Sequence, residues 1–322
     1  MSATVGTVRA ISGPHPMRVT DIDAVNRVFA DAFTERYRRD GMAGVRVPQL
    51  NPAIWRFAIE GAREGAMVWR DPAGEVAAFN VAHLSGNEGW MGPLAVRPEW
   101  QGSGVGKTIV RAGAAWLLAG GAQTIGLETM PRTVENIGFY AGLGYVPGPL
   151  TVTLTLDAGE GEPVTLGALR GAEQAAAIEE CRALVARLLP GRDYSRELRL
   201  TLDLALGDAC LLRASPGGAL RGFALYHVVP LVEGRAREEL RVLKLAVQDA
   251  KDLAPLAHMV AAAARRAGTA RAAVRVQTGY REAWDALVGL GARVRWTDLR
   301  MTLRGYPEVM PASGVVFSNW EI

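Results

Sequence analysis

Gly102, Gly104 and Gly106 alternate with Ser103 and Val105 in one short loop, and the segments on either side leave few ways to fold it. Ahead of it, Trp90 to Val96 reads as a strand; after it, Ile109, Val110, Ala114, Ala115, Leu117 and Leu118 form an apolar helical run. Glycines let a ligand approach the main chain closely. The first turn of the helix adds N–H groups without intrahelical partners and a partial positive charge. Strand, glycine loop and helix start together predict an anion cradle, and a phosphate-bearing ligand is the natural occupant.

Several loops of this kind are known. A P-loop ends in Gly-Lys-Thr, as Gly106-Lys107-Thr108 does, but needs a glycine at position 101, where this chain has glutamine. Four residues, Arg97 to Trp100, also separate the loop from the strand end. A dinucleotide fingerprint is met by Gly102 and Gly104 and broken by Lys107, with no β-α-β unit carrying a ribose-binding acid. A tight turn without a ligand is the plain alternative.

Gln101, Gly104 and Gly106 match Gln-x-x-Gly-x-Gly in full. With Leu94-Ala95-Val96-Arg97-Pro98-Glu99-Trp100 ahead of it, the stretch resembles the acetyl-CoA signature of the GNAT acyltransferase superfamily. Downstream, a short strand near 123–128 leads into Pro131 to Tyr145, where Tyr140, Gly144 and Tyr145 resemble the family's second signature, Tyr-x-x-x-Gly-aromatic. Gly142-Leu143-Gly144 also reads as a helix C-cap. Gly92-Pro93 interrupts the strand before the loop, as a bulge or edge position would. The resemblance gives that break a purpose, because the fourth and fifth strands of such folds splay to admit the acyl group.

The chain has 322 residues, enough for two domains, with 49% hydrophobic and 21% charged residues, which predicts a packed core. A net charge of +3 with scattered arginines gives no nucleic-acid signature. Cys181 and Cys210 lie in apolar surroundings and read as buried free thiols of a reducing compartment. The four histidines lack ligand spacing, so no metal is expected. No apolar run reaches membrane-spanning length and Met1 to Arg18 has no signal-peptide core, so the expectation is a cytoplasmic protein without membrane or nucleic-acid partners.

The element order repeats. Ala66 to Phe79 and Ala209 to Phe223 both read as strand, Pro-Gly turn, strand, and Gly142-Leu143-Gly144 recurs as Gly289-Leu290-Gly291. The first half reads as a strand near Val5 to Ile11, helices at Asp21 to about Arg39 (capped by Thr20 or Asp21) and Pro52 to Arg63, and strands near 66–70, 75–85 and 89–97. A helix from Val105 to Ala119, the strand near 123–128, a helix at 134–141 and a strand at 150–156 complete it. The second half reads as strand 164–167, helices 173–188 and 193–206, strands 209–213, 220–229 and 238–247, helix 252–267, strand 271–277, helix 280–289 and strand 293–303. Asp157 to Pro163 is a polar, glycine-rich link. The resemblance thus implies an α/β (α+β) mixed-sheet fold of two tandem GNAT-like domains, each a mostly antiparallel sheet with flanking helices. Residues 1–157 are the catalytic, acetyl-CoA-binding domain, and 158–322 a degenerate domain that is structural or shapes the substrate site. In the second half, Val247 to Leu253 stands where the glycine loop would be. It has no glycine and carries Asp249 and Asp252, each repelling a diphosphate by about 1 kcal/mol or more.

Acetyl transfer to an amine needs a held thioester, a neutral amine, a stabilised oxyanion and a proton for the leaving thiolate. The resemblance places the diphosphate on Gln101, Gly102, Ser103, Gly104, Val105, Gly106, Lys107 and Thr108. It places the pantetheine and oxyanion on the backbone of Leu94, Ala95 and Val96, further cofactor contacts on Asn136, Phe139 and Tyr140, and the catalytic acid on Tyr140. Asn136 lies closer to Tyr140 than the family's asparagine does, and Thr133 stands nearer the usual position. Glu88 and Glu128, beside the two central strands, are the candidate bases; a water chain to bulk is the alternative. The acceptor side is expected near Thr34 to Met42, where Tyr37 and the arginines are candidate contacts. The implied activity is transfer of acetyl from acetyl-CoA to a primary amine of a small molecule in a ternary complex, by a monomer or homodimer. A non-catalytic acyl-CoA sensor and a mycothiol-synthase-like acetyltransferase are the alternatives.

Overall fold

The computed structural model describes residues 11–320. The expected strand at Val5 to Ile11 lies almost wholly outside them. The first described strand is β1 (Ser12–Pro16), followed by α1 (Ile22–Arg39), α2 (Pro52–Ala62), β2 (Ala66–Arg70), β3 (Val76–Ser85) and β4 (Glu88–Val96). Then come α3 (Val105–Ala119), β5 (Thr124–Thr129), α4 (Val134–Ala141) and β6 (Tyr145–Asp157). The second half runs α5 (Gly171–Leu188), α6 (Ser195–Asp203), β7 (Gly207–Arg213), β8 (Leu220–His227), β9 (Glu239–Val247), α7 (Leu253–Arg266), β10 (Arg271–Gln277), α8 (Arg281–Gly289), β11 (Arg293–Leu303) and β12 (Val315–Ser318).

Period-two alternation along the strands sorts side chains onto two faces, each covered by helices. In the first half Phe79, Val81 and Ala95 pack beneath α1 and α2, whereas Ala78, Ala82 and Met91 pack beneath α3. The second half repeats this: Leu211, Phe223 and Leu225 face α5 and α6, and Cys210, Ala224 and Val274 face α7 and α8. Cys181 and Cys210 are buried free thiols.

One twelve-stranded sheet joins the halves in the order β1-β2-β3-β4-β5-β11-β6-β10-β9-β8-β7, with β12 on β9. The halves exchange their long last strands. β11 of the second half lies between β5 and β6, and β6 of the first half lies between β11 and β10. Val152, Leu154 and Leu156 of β6 therefore belong to the second half's core.

Two pairs are parallel, and each ends early. β4 meets β5 over Glu88–Met91 against Thr124–Leu127. The register of β4 on β3 then slips opposite Asn80 and Ala82, because Gly92-Pro93 adds a residue to β4. β9 meets β10 over Glu239–Arg241 against Arg271–Ala273 and then leaves it, and there β12 pairs with Lys244 to Val247 of β9. The second half's gap is thus filled by the chain's own late strand, which the periodicity did not reveal. Residues 164–167 do not form the expected strand. Asp208 captures the Gly167 N–H at 2.7 Å, and a short 3₁₀ turn, Leu166–Ala168, forms instead.

Because β6, a strand of the first half, packs into the second half's core, Leu154→Ala should destabilise the whole chain by about 3 kcal/mol. Urea unfolding is expected to remain one transition moved to lower midpoint; a shift confined to one of two separate transitions would contradict the exchanged-strand core.

Candidate active site

The break at Gly92-Pro93 opens a cleft of about 1080 Å³ between β4 and β5. The glycine loop closes one end, with a left-handed backbone at Gly102 (φ 75°) and at Gly104 (φ 89°), the N-cap of α3. A Cβ built on either meets nothing within 4 Å, so the loop is open toward the cleft. Val105, Gly106 and Lys107 form the first helical turn, whose amides have no intrahelical acceptor. Gln101 anchors the loop by donating to the Val96 carbonyl at 2.9 Å.

Of the expected cofactor residues, Leu94, Ala95, Val96, Gln101, Gly102, Gly104, Gly106, Lys107, Asn136, Phe139 and Tyr140 line the cleft. The side chains of Ser103, Val105 and Thr108 serve the loop instead. The Ser103 hydroxyl donates to the Trp100 carbonyl, Val105 is buried in the core, and Thr108 turns back on Gly104. Thr133 also points elsewhere, donating to Asp40 at 2.7 Å. Asn136 lies in the cleft with its amide 3.4 Å from the Thr129 hydroxyl. An ion pair between Arg36 and Glu135, both lining the cleft, ties α1 to α4 at 2.6 Å. Trp55 and Trp100 are core residues, whereas Trp90 both lines the cleft and carries the Arg300 guanidinium 4.3 Å from its ring centre.

Tyr140 is 7% exposed and borders the cleft. Burial raises its phenol above the ordinary value, so it holds its proton at neutral pH and has it to give.

The two carboxylates expected as bases are differently placed. Glu88 is fully buried behind the cleft wall, beside Arg192 at 3.2 Å, and accepts from Tyr194 at 2.9 Å and Ser318 at 2.7 Å. Burial pushes its carboxyl up, but the Arg192 and Lys244 charges outweigh burial and leave it at about 2. Glu88 is therefore an interior counter-ion and not a group facing the acceptor. Glu128 does line the cleft, but its oxygens are engaged by Arg275, by Arg300 at 2.9 Å and by Thr151 at 2.6 Å. Against the burial effect, Arg275 and Arg300 hold it at about 2.

The opposite wall comes from the second half and was not legible in the sequence. Arg275 of β10, Asp298 and Arg300 of β11, and Asn319 and Trp320 after β12 all line the cleft. Their only sequence signal was lateral: polar residues on strands otherwise apolar enough for a core. In the second half the position of the glycine loop is occupied by a short turn, where the Asp249 carboxylate caps the Lys251 N–H at 3.0 Å and Asp252 pairs with Arg221 at 2.6 Å. Among the described residues no three His, Cys, Asp or Glu cluster as a metal site, and no helix is long and apolar enough to cross a membrane.

Residues 25–145 match the Acetyltransferase (GNAT) family. This segment is thus a GNAT acetyltransferase domain, of an enzyme family, and the fold of the chain is that of tandem GNAT proteins. Among solved structures it is similar to a putative acetyltransferase from Pyrococcus horikoshii (TM-score 0.67, 14% identity, 99% of this chain and 96% of that one). It is also similar to Saccharomyces cerevisiae N-myristoyltransferase with bound myristoyl-CoA (0.63, 10%, 97% and 86%). A tandem GNAT protein from the clavulanic acid biosynthesis pathway matches as well (0.58, 13%, 93% and 100%). No curated protein sequence matches the chain.

Glu128 gives a pH test. Its folded-state value lies below the ordinary 4.5, so its stabilising contribution is present above that value and is lost as pH falls toward about 2. The drop in melting temperature between pH 5 and pH 3 should therefore be larger in the wild type than in Glu128→Gln; equal drops would contradict the ion-paired assignment.

Proposed function

We propose that the protein transfers an acetyl group from acetyl-CoA to a primary amine of a small molecule, by direct attack within a ternary complex. The observation that carries this reading is the open glycine loop at the start of α3, placed at the end of the gap between β4 and β5. Space at Gly102 and Gly104, together with free amides at 105–107, suits a diphosphate, and Lys107 adds a cation at the same end. Leu94 to Val96 would serve the pantetheine arm and the thioester carbonyl, since β4 has left β5 by that point. The thioester, when bound, supplies the activated carbonyl.

Tyr140 is the acid for the departing sulfur in this reading. The second half is a substrate-shaping unit: its own gap is plugged by β12, Asp249 caps the Lys251 amide at its loop position, and its strands form the far wall. A second reading, an acyl-CoA sensor without transfer, is favoured by the ion pairing of both Glu88 and Glu128. Tight acetyl-CoA binding with neither transfer nor hydrolysis would select it.

Acetyl-CoA and CoA should raise the melting temperature by several degrees and ATP should not. Gly104→Glu should abolish that shift while leaving the far-ultraviolet circular dichroism intact; a retained shift would count against the cradle. Tyr140→Phe should lower kcat about 100-fold with little change in the KM for acetyl-CoA, measured by thiol release. An unchanged kcat would remove Tyr140 as the acid.

A further inference from the structure

With Glu88 interior and Glu128 held by two arginines and Thr151, the acceptor amine still needs a proton acceptor. We propose that Asp298, delivered by the second half on β11, receives the acceptor's ammonium group and takes its proton, and that the acceptor is a primary amine on an aromatic or similarly flat apolar body. This rests on the acetyl-transfer reading and fills in the acceptor side of the same cleft.

Strand exchange puts Asp298 there. β11 pairs with β5 up to Leu299 opposite Thr129, so Asp298 is the next residue outward, at the point where β5 ends and the cleft opens. Its cross-strand partner on β6 is the neutral Thr151. Four charged groups meet around it in one chain of ion pairs: Asp298 and Glu128 share Arg275, and Glu128 also meets Arg300, which pairs onward with Glu308. Within that chain three carboxylates face two guanidiniums, and Arg192 beyond it also acts on Glu308.

Asp298 is the member with capacity left at the cleft. Oδ2 accepts from Arg275 at 2.8 Å, while Oδ1 has only the long contact from the Trp296 indole N–H at 3.2 Å. Glu128 is the more heavily engaged of the two, with three donors on it, two of them arginines. Burial raises the Asp298 carboxyl above the usual aspartate range; Arg275 opposes this and Glu128 adds to it. The remaining titratable neighbour is Tyr37 of α1, whose phenol is raised by burial and by the Asp298 charge. Beside the carboxylate stands Trp296, 44% exposed within a cleft wall, an apolar surface for the body of an amine.

The proton balance closes. The ammonium gives one proton to Asp298, and the neutral nitrogen attacks the thioester carbon, forming C–N. Collapse breaks C–S, Tyr140 gives its proton to the sulfur, and the second nitrogen-borne proton restores the phenol. Asp298 then releases its proton to solvent, so one acetamide, one thiol and one proton result.

The test uses the full chain with phenethylamine and tryptamine as acceptors. Asp298→Asn should keep the acetyl-CoA thermal shift but lose about 100-fold in kcat/KM at pH 7. The loss should shrink as pH rises toward the amine pKa of about 10, because solution then supplies the neutral amine. Asp298→Glu should recover part of the rate. A drop of the same size at every pH, a loss smaller than threefold, or no transfer to either amine by a wild type that still binds acetyl-CoA would overturn the assignment. A wild type that acetyl-CoA fails to stabilise would remove the parent reading first, and this one with it.

Discussion

Four ladder pairs hold β4 to β5, and the pairing stops at Met91 and Leu127. Everything about the site follows from that stop. Gly92-Pro93 cannot continue the ladder, since proline has no N–H and the extra residue puts the strand out of register. Backbone polar groups left unmet in a buried cleft cost about 1–3 kcal/mol each. The opening therefore persists only because both strands are anchored on their other edges, β4 by β3 and β5 by β11.

The same construction occurs twice with opposite outcomes. β9 and β10 also pair briefly and part, but β12 occupies the ladder positions that open, and the Asp249 carboxylate caps the Lys251 amide where the glycine loop would stand. The second half contributes a wall of the first half's cleft. The strand that plugs the gap between β9 and β10 ends at Ser318, which meets Glu88, and the chain continues as Asn319 and Trp320, which reach the cleft.

The glycine loop, the bulge at Gly92-Pro93 and the start of α3 were legible in the sequence because each is a local backbone requirement written in adjacent residues. Most of the element order was legible through periodicity, the turn at 166–168 and β12 excepted. The far wall was not. Arg275, Asp298 and Arg300 enter the cleft only because β6 and β11 change places, and no local pattern encodes which distant strand a sheet edge will accept. Glu88 and Glu128 were placed near the right strands, but their partners Arg192, Lys244, Arg275 and Arg300 all come from the other half, so their charge states could not be read from neighbours in sequence. β12 is four residues long, too short for a periodic signal to mark it.

A crystal structure grown with acetyl-CoA tests the central claim most directly. The account predicts the diphosphate against the main-chain amides of residues 102–107 and the thioester in the gap between β4 and β5, beside Tyr140. A coenzyme lodged against the second half, or a first-half gap still closed to it, would contradict the account.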